Sequence, residues 1–446
     1  MTTTTAHAPL AALYPDHLRT LMARTDAALA AAGREHLVVP SGRLRESFLD
    51  DRTYPFRVNP QFKAWLPLTD LTDSWLVYSP GRRPTLVYCQ PDDYWHLPPS
   101  APHGYWAEHL DVVVIRQPGQ AAAELPPAAR SAIVGEPEWA LGEHRPDNPP
   151  ALLDRLHHAR AAKTAYELEA MRMANRRAVR GHKAAARAFA EQRSERAIHE
   201  AYLHATGHTD LDLPYNNIVG LNEHAAVLHY QHQRHDLPDR HRCLLIDAGA
   251  DAIGYASDIT RTHGNGDAHF AALIDGVDAA QQALCDQVRP GVDYRQIHLD
   301  AHRRLAGVLQ DLGIVAMAPE EQLQTGVSAT FFPHGIGHLL GLQVHDVGGF
   351  LAGPDGGRVE PPAGHPHLRL TRTLGPDMVV TIEPGLYFIP MLLERLRAGP
   401  HAAAVDWQAV AHLARFGGVR IEDDVRCTDG APENLTRSAF AEAAAS

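Results

Sequence analysis

Several things are scarce in this chain, and each scarcity excludes a class of protein. Only four of the 446 residues are cysteine: Cys89, Cys243, Cys285 and Cys427. They lie far apart and no pair has CxxC spacing, which argues against a zinc knuckle and for reduced, mostly buried thiols. No apolar run approaches the roughly 18–20 residues that cross a bilayer. The opening stretch, MTTTTAHAPLAALYPDHL, has no basic segment followed by an apolar core. No secretory signal is therefore expected, and a soluble, cytoplasmic protein is. Positive charge is short as well. Lys and Arg number 41 against 53 Asp and Glu, a net charge of -12. With no long Lys/Arg run, the chain lacks the basic stripe by which nucleic-acid binders displace counterions.

What remains is an ordinary globular composition, 45% hydrophobic and 21% charged, sufficient for a full-sized core. At roughly 100–200 residues per domain, the length implies two or three domains. Histidine is abundant, at 29. His157, His158, His182 and His302 fall in helical patterns and carry no visible chemistry; the informative histidines are those beside carboxylates on strands.

The first part of the chain alternates strand and helix signals. Short β-rich runs occur at SWLVYS (74–79), PTLVYC (84–89), DVVVI (111–115) and SAIVG (131–135), separated by turn-rich stretches. Helical patterns lie near 15–32 and 119–131. This reads as an α/β domain over residues 1–155, with the Pro-rich GEHRPDNPPALL (142–153) at its boundary. A long helix is expected from Thr164, then a second over 194–207 with Ser194 as N-cap and Gly207 as its end. Amphipathic helices follow at about 269–288 and 293–312. Runs of helix and strand without strict alternation predict an α+β catalytic domain over 156–446, built on antiparallel sheet.

Four segments of that second domain carry acidic or imidazole side chains at the ends of apolar runs. LLIDAGADAIGYASDITRT (244–262) reads as a hairpin. A turn centred between residues 252 and 253 would set Asp247 opposite Asp258, with Cβ atoms about 4.5–5.5 Å apart. Two carboxylates so placed repel unless cations lie between them, and a metal pair about 3.5–4 Å apart fits that gap. Alone, the segment reads more readily as two exposed hairpin aspartates. FFPHGIGHLLGLQVHDVGG (331–349) carries His334, His338 and His345 among glycines, which point to irregular backbone approaching something closely. VVTIEPGLYF (379–388) and GGVRIEDDV (417–425) each place a glutamate, Glu383 and Glu422, directly after a β-branched run, where an unpaired charge fits poorly.

The order Asp247, Asp258, His338, Glu383, Glu422 in these contexts resembles the pita-bread metallopeptidases, which include methionine aminopeptidase, Xaa-Pro aminopeptidase and prolidase. The similarity is sharpest to the bacterial Xaa-Pro dipeptidase group and the related organophosphorus acid anhydrolases. It spans most of the chain, including FLDDRTYPFRVNPQFKAWLPL (48–68), DDYWH (92–96) and PYNNIVGLNEHAAVLHY (214–230). The resemblance implies two divalent metal ions, usually manganese. Asp247 would bind one metal, Asp258 and Glu422 would bridge the pair, and His338 and Glu383 would complete the second site. The oxygen-rich donor set independently suits Mn²⁺ better than a nitrogen- or sulfur-rich zinc site would. A hydroxide bridging the metals would attack, since metal binding brings a water pKa from 15.7 to near 7.

The resemblance also implies that Glu383 passes a proton to the leaving proline nitrogen, and that His229 and His345 bind the scissile carbonyl. His334 is expected to orient the site. Arg369 matches an arginine that meets the substrate carboxylate, with Arg372 as a competitor. Arg420 would bind substrate or orient Glu422, and Tyr215 would line the pocket. A homodimer is implied, in which Asp51 would serve a neighbouring pocket. Two departures from relatives stand out: the His- and Arg-rich 231–242 stretch, expected to be a surface turn, and Pro376-Asp377 where relatives often read Pro-Gly. The competing readings are an Xaa-Pro aminopeptidase acting on longer peptides, organophosphorus hydrolysis as a side activity, and a metal-free binding protein on the same scaffold.

Overall fold

The β-branched runs of the first 150 residues become strands. A computed structural model describes residues 8–445 and divides into two compact units. The first runs to Ala170 and also takes in Ile253–Tyr255 and Leu351–Gly357. Its five-stranded sheet has the order Asp111–Ile115, Thr85–Cys89, Trp75–Tyr78, His36–Pro40, Ser131–Ile133. Four of these are the runs read from sequence; His36–Pro40 is additional. Parallel and antiparallel pairings are mixed. Val38, Trp75, Val87, Cys89, Ile115 and Ile133 share one core cluster.

The helix expected near 15–32 runs over Ala8–Ala32. The one expected over 119–131 does not form. Two 3-10 turns, Pro118–Ala123 and Ala128–Arg130, take its place. Pro126 and Pro127 lie between them; proline lacks the N–H a helix needs and pushes the preceding residue out of the helical region. All four cysteines are free and buried.

The second unit holds Met171–Ala252, Ala256–Phe350 and Arg358–Ser446. The expected long helix is Ala165–Ala190. Thr164 and Glu167 cap its start reciprocally: the Thr164 N–H donates to Glu167 Oε2 at 2.9 Å and the Glu167 N–H to Thr164 Oγ1 at 3.4 Å. Ser194 caps Glu195–Thr206, and Gly207 ends it with φ of 66°. Ala268–Cys285 and Tyr294–Asp311 are the two further helices expected.

The strands of this unit are antiparallel, as expected for an α+β domain. One sheet has the order Thr260–Gly264, Cys243–Asp247, Ile218–Leu221, and another Val379–Ile382, Asp423–Arg426, Glu433–Asn434. Gly385–Tyr387 pairs with Gly418–Arg420. An isolated bridge between Thr260 and Glu422 ties the hairpin to the C-terminal strands. No helix among the described residues is long and apolar enough to cross a membrane.

Candidate metal centre

The hairpin delivers Asp247 and Asp258, but in a register different from the expected one. Asp247 pairs with Thr260, not Asp258. The turn falls at the middle of the GADAIGYAS stretch, at Ile253 and Gly254, whose φ values of 50° and 94° are both left-handed. The hairpin centre therefore lies between 253 and 254. Asp258 sits two positions from the residue opposite Asp247, in an irregular stretch before the strand Thr260–Gly264. Thr260 takes the opposed position, and its hydroxyl donates to Glu422 Oε2 at 2.7 Å.

The glycine-rich segment brings in His338 on irregular backbone, as the glycines predict. Gly337 has φ of 153°, and a Cβ there would lie 2.2 Å from the Thr381 carbonyl oxygen. Only glycine allows this approach. It lets the His338 N–H donate to Thr381 Oγ1 at 3.1 Å while the Thr381 N–H donates to the His338 carbonyl at 3.0 Å. The same contact ends the strand Val379–Ile382 beside His338, so Glu383 emerges at the site. His338 Nε2 lies 3.4 Å from Asp258 Oδ2 and 3.8 Å from Glu383 Oε1. Asp258, His338 and Glu422 are all buried, and one ligand atom of each lies within 4.8 Å of the others.

The positive charge within this cluster comes from Arg420 and His338. Arg420 donates from Nη2 to Asp247 Oδ2 at 2.7 Å, from Nη1 to the Tyr387 hydroxyl at 2.9 Å and from Nε to Thr260 Oγ1 at 3.2 Å. Burial, followed by the neighbouring carboxylates Asp258, Glu383 and Asp247, holds Glu422 well above the ordinary carboxylate range. Burial likewise raises Glu383 to about 7 and lifts Asp247. His338 responds in the opposite sense. Burial alone would lower it, but the hydrogen bond and charge of Asp258 and the charge of Glu383 raise it to about 9. Three of the four carboxylates, Asp247, Glu383 and Glu422, are thus raised for want of counter-charge, while the hydrogen bond and charge of His338 hold Asp258 below its ordinary value; such a crowded set is matched to divalent cations. With four carboxylates to one imidazole, the set fits hard, oxygen-seeking ions.

The other residues singled out from sequence fall around this centre. Tyr215 donates from its hydroxyl to Asp247 Oδ1 at 2.7 Å. The His345 ring packs edge-on against His338, with centroids 4.5 Å apart. Desolvation, then the charges of His338 and Arg369, push His345 down to about 4. His229 is exposed and acts electrostatically on both His334 and His345. Arg369 is also exposed, whereas Arg372 is buried and donates to the Gly348 carbonyl at 3.4 Å. His334 bonds through Nε2 to the Tyr387 hydroxyl at 2.8 Å. Asp51 is exposed in the first unit. The 231–242 stretch has no helix or strand.

Sequence reasoning missed the supports. Tyr387 joins Arg420 to His334. Asp424 accepts the Asp258 N–H at 3.2 Å and the Asn175 side-chain amide at 2.8 Å. Thr436, on the helix Leu435–Ala445, donates to Asn175 Oδ1 at 2.7 Å and accepts the Asp424 N–H at 3.0 Å. Asp423 accepts from Arg261, Gln281, Asn434 and Arg437. The consecutive acids of IEDDV were the one available signal. Three successive acidic residues in a buried strand require partners.

Comparison with known proteins agrees with this centre. Residues 12–158 match the family of the Xaa-Pro dipeptidase N-terminal domain, and residues 169–429 match metallopeptidase family M24, whose members use divalent metal ions. A curated Xaa-Pro dipeptidase of Xanthomonas axonopodis pv. citri is 58% identical over 97% of this chain and 99% of its own. One from Stenotrophomonas maltophilia is 56% identical over 97% and 98%. Among solved structures, Escherichia coli aminopeptidase P, zinc-substituted and in complex with product, aligns with a TM-score of 0.70 at 24% identity, covering 94% of this chain and 95% of that one. A Pseudomonas aeruginosa aminopeptidase aligns at 0.71 and 23%, covering 97% and 99%; at these identities the two establish the shared pita-bread fold. The chain thus belongs to metallopeptidase family M24 and, within it, to the Xaa-Pro dipeptidase group.

Proposed function

We propose that this protein hydrolyses Xaa-Pro dipeptides with two divalent ions, Mn²⁺ by preference, held by Asp247, Asp258, His338, Glu383 and Glu422. The observation that carries the reading is the buried cluster of four carboxylates and one imidazole, short of positive charge. Relatives at 56–58% identity over nearly the whole chain bear the name Xaa-Pro dipeptidase, which supports the substrate class. When bound, the ions supply Lewis acidity and acidify water. The chain's own groups do the rest. Glu383 takes the proton of the attacking water and delivers it to the proline nitrogen. That nitrogen belongs to a tertiary amide and must be protonated to leave as a secondary amine. His229 and His345 hold the scissile carbonyl and its developing oxyanion. Arg369, exposed beside His345, meets the substrate's C-terminal carboxylate. Tyr215 and Arg420 orient Asp247 from opposite oxygens.

The reading extends to organisation. Residues 1–155 form the N-terminal domain and 156–446 the catalytic one, in a cytoplasmic homodimer. Support for a second copy comes from the exposed Phe48, Leu49, Tyr94, Trp95 and Leu97 of the first unit, each more than three-quarters accessible. Asp51, in the same exposed segment, is then available to a neighbouring pocket.

The test is proline release from Ala-Pro, Ala-Pro-Ala and Ala-Ala by protein stripped of metal and resupplied with Mn²⁺. Mn²⁺-dependent cleavage of Ala-Pro alone is expected. Equal cleavage of the tripeptide would move the activity to an aminopeptidase and remove Arg369 from its anchoring role.

A further inference from the structure

His298 and His302 lie four residues apart on the helix Tyr294–Asp311, so they share a face. Both are buried, at about 1% exposure. His365, from the loop before Leu368, is half-exposed and closes a triangle with them. The three ring centroids are 4.8, 4.7 and 4.6 Å apart. His298 Nε2 lies 3.0 Å from His365 Nδ1, and His302 Nδ1 lies 3.0 Å from the hydroxyl of buried Ser328. One ligand nitrogen from each ring lies within 4.8 Å of the other two. They border a cavity of about 250 Å³, also lined by Phe332, Pro333 and Gly364.

The three rings are buried or half-buried, and their hydrogen bonds run to one another or to Ser328, with no carboxylate among those partners. Burial lowers the pKa of all three rings, and repulsion from neighbouring histidines lowers His298 and His302 further, which favours the neutral form that binds metal. Around an ion bound at about 2.0–2.1 Å in tetrahedral geometry, ligand nitrogens stand roughly 3.3 Å apart. The His298–His365 pair, at 3.0 Å, is already near that spacing, and one nitrogen of His302 lies within 4.8 Å of one on each of the others. Ser328 occupies the place of an outer partner that fixes a ligating ring. The cavity leaves room for a fourth, non-protein ligand.

We propose that His298, His302 and His365 form a second metal site, nitrogen-only, for a borderline-soft transition ion of the Zn²⁺ class. It shares no residue with the carboxylate donor set, although His334 lines the same cavity; the Phe332 ring packs 4.8 Å from the His302 ring and 4.8 Å from the His334 ring. The donor chemistry differs too: imidazoles select Zn²⁺, Ni²⁺ or Cu²⁺, whereas the carboxylates select Mn²⁺. The chain therefore sorts two kinds of ion by ligand type. The sequence reading had set His302 aside as an inert helical residue; its partner one turn earlier and the distant His365 are what change that.

The experiment uses Mn²⁺-loaded protein dialysed against buffered micromolar Zn²⁺, with both metals counted per chain by mass spectrometry. One added Zn²⁺ with Mn²⁺ unchanged is expected. His365→Ala and His302→Ala should each weaken that uptake at least tenfold while keeping their Mn²⁺; His103→Ala, on the surface, should not. Should His302→Ala fail to fold, the half-exposed His365→Ala carries the test. Cu²⁺ in the same site should show nitrogen superhyperfine splitting that is reduced in His365→Ala. No Zn²⁺ uptake, uptake only as Mn²⁺ leaves, or uptake equal in His365→Ala would each overturn the proposal.

Discussion

At the scale of single residues, exposure separates two roles around the metal centre. Arg420 and Tyr215 are fully engaged, one on each oxygen of Asp247. Arg369 is exposed at the open side. Replacing Arg369 with alanine should raise KM for Ala-Pro about ten- to a hundredfold with the bound metal unchanged. Lysine should restore only part, because it lacks the planar fork that matches a carboxylate. Steady-state kinetics with parallel metal analysis checks this; unchanged KM would shift the anchor elsewhere. Tyr215→Phe removes one hydrogen bond to a ligand and keeps the ring. Metal affinity, read by competition with a chelator, should fall roughly tenfold. The five candidate ligands stood out in the sequence because each ends an apolar run, where a charge demands a reason. Tyr387 could not, because a tyrosine after a β-branched strand is also what a core position looks like.

At the scale of elements, strands and capped helices were legible because their signals are local. The Thr164–Glu167 box, Ser194 and Gly207 lie within a few residues of the ends they define. The failures came where a boundary depends on one dihedral or one missing donor. Pro126-Pro127 broke the expected 119–131 helix. The hairpin centre moved by one residue because the turn uses Ile253 at φ 50°, a conformation that a β-branched side chain rarely adopts and that sequence alone does not announce. Asp377 is a related case. Its φ of 62° lies in the left-handed region that favours glycine, and Arg426 donates twice to its Oδ1, at 2.6 and 2.9 Å. The tightest element contact predicts the largest effect. Gly337→Ala forces a Cβ to within 2.2 Å of the Thr381 carbonyl, so the His338 segment must move off its strand. We expect a loss of several kcal/mol of stability, with a lowered Tm and reduced metal content.

At the scale of the whole molecule, the class of fold was legible from the alternation of signals. The supporting network was not, because many of its bonds join residues more than a hundred positions apart, such as Asp424 with Asn175 and Asp423 with Gln281. Buried histidine sets the pH response of the molecule. Burial pushes His182 and His302 down to about 3, so both are neutral in the folded protein. Unfolded, they would titrate near 6.5. Below that pH the unfolded chain binds protons the folded one does not. Their contribution is therefore full above about 6.5 and is lost as pH falls toward 3, at about 1.4 kcal/mol per pH unit for each. In metal-free protein the raised carboxylates Glu383 and Glu422 titrate in the opposite sense. The histidine part is thus read as a difference: between pH 6.5 and 4, unfolding free energy should fall more steeply in the wild type than in His182→Gln. Parallel curves would show that His182 is protonated in the native state.

The helix Leu435–Ala445 holds the Asp258 backbone at second hand, through Thr436 and Asp424. The five candidate metal ligands all precede this helix in the sequence, so the segment that braces the Asp258 peptide carries none of the donors itself. A chain cut before Thr436 would keep every candidate donor while the peptide bearing Asp258 lost its brace.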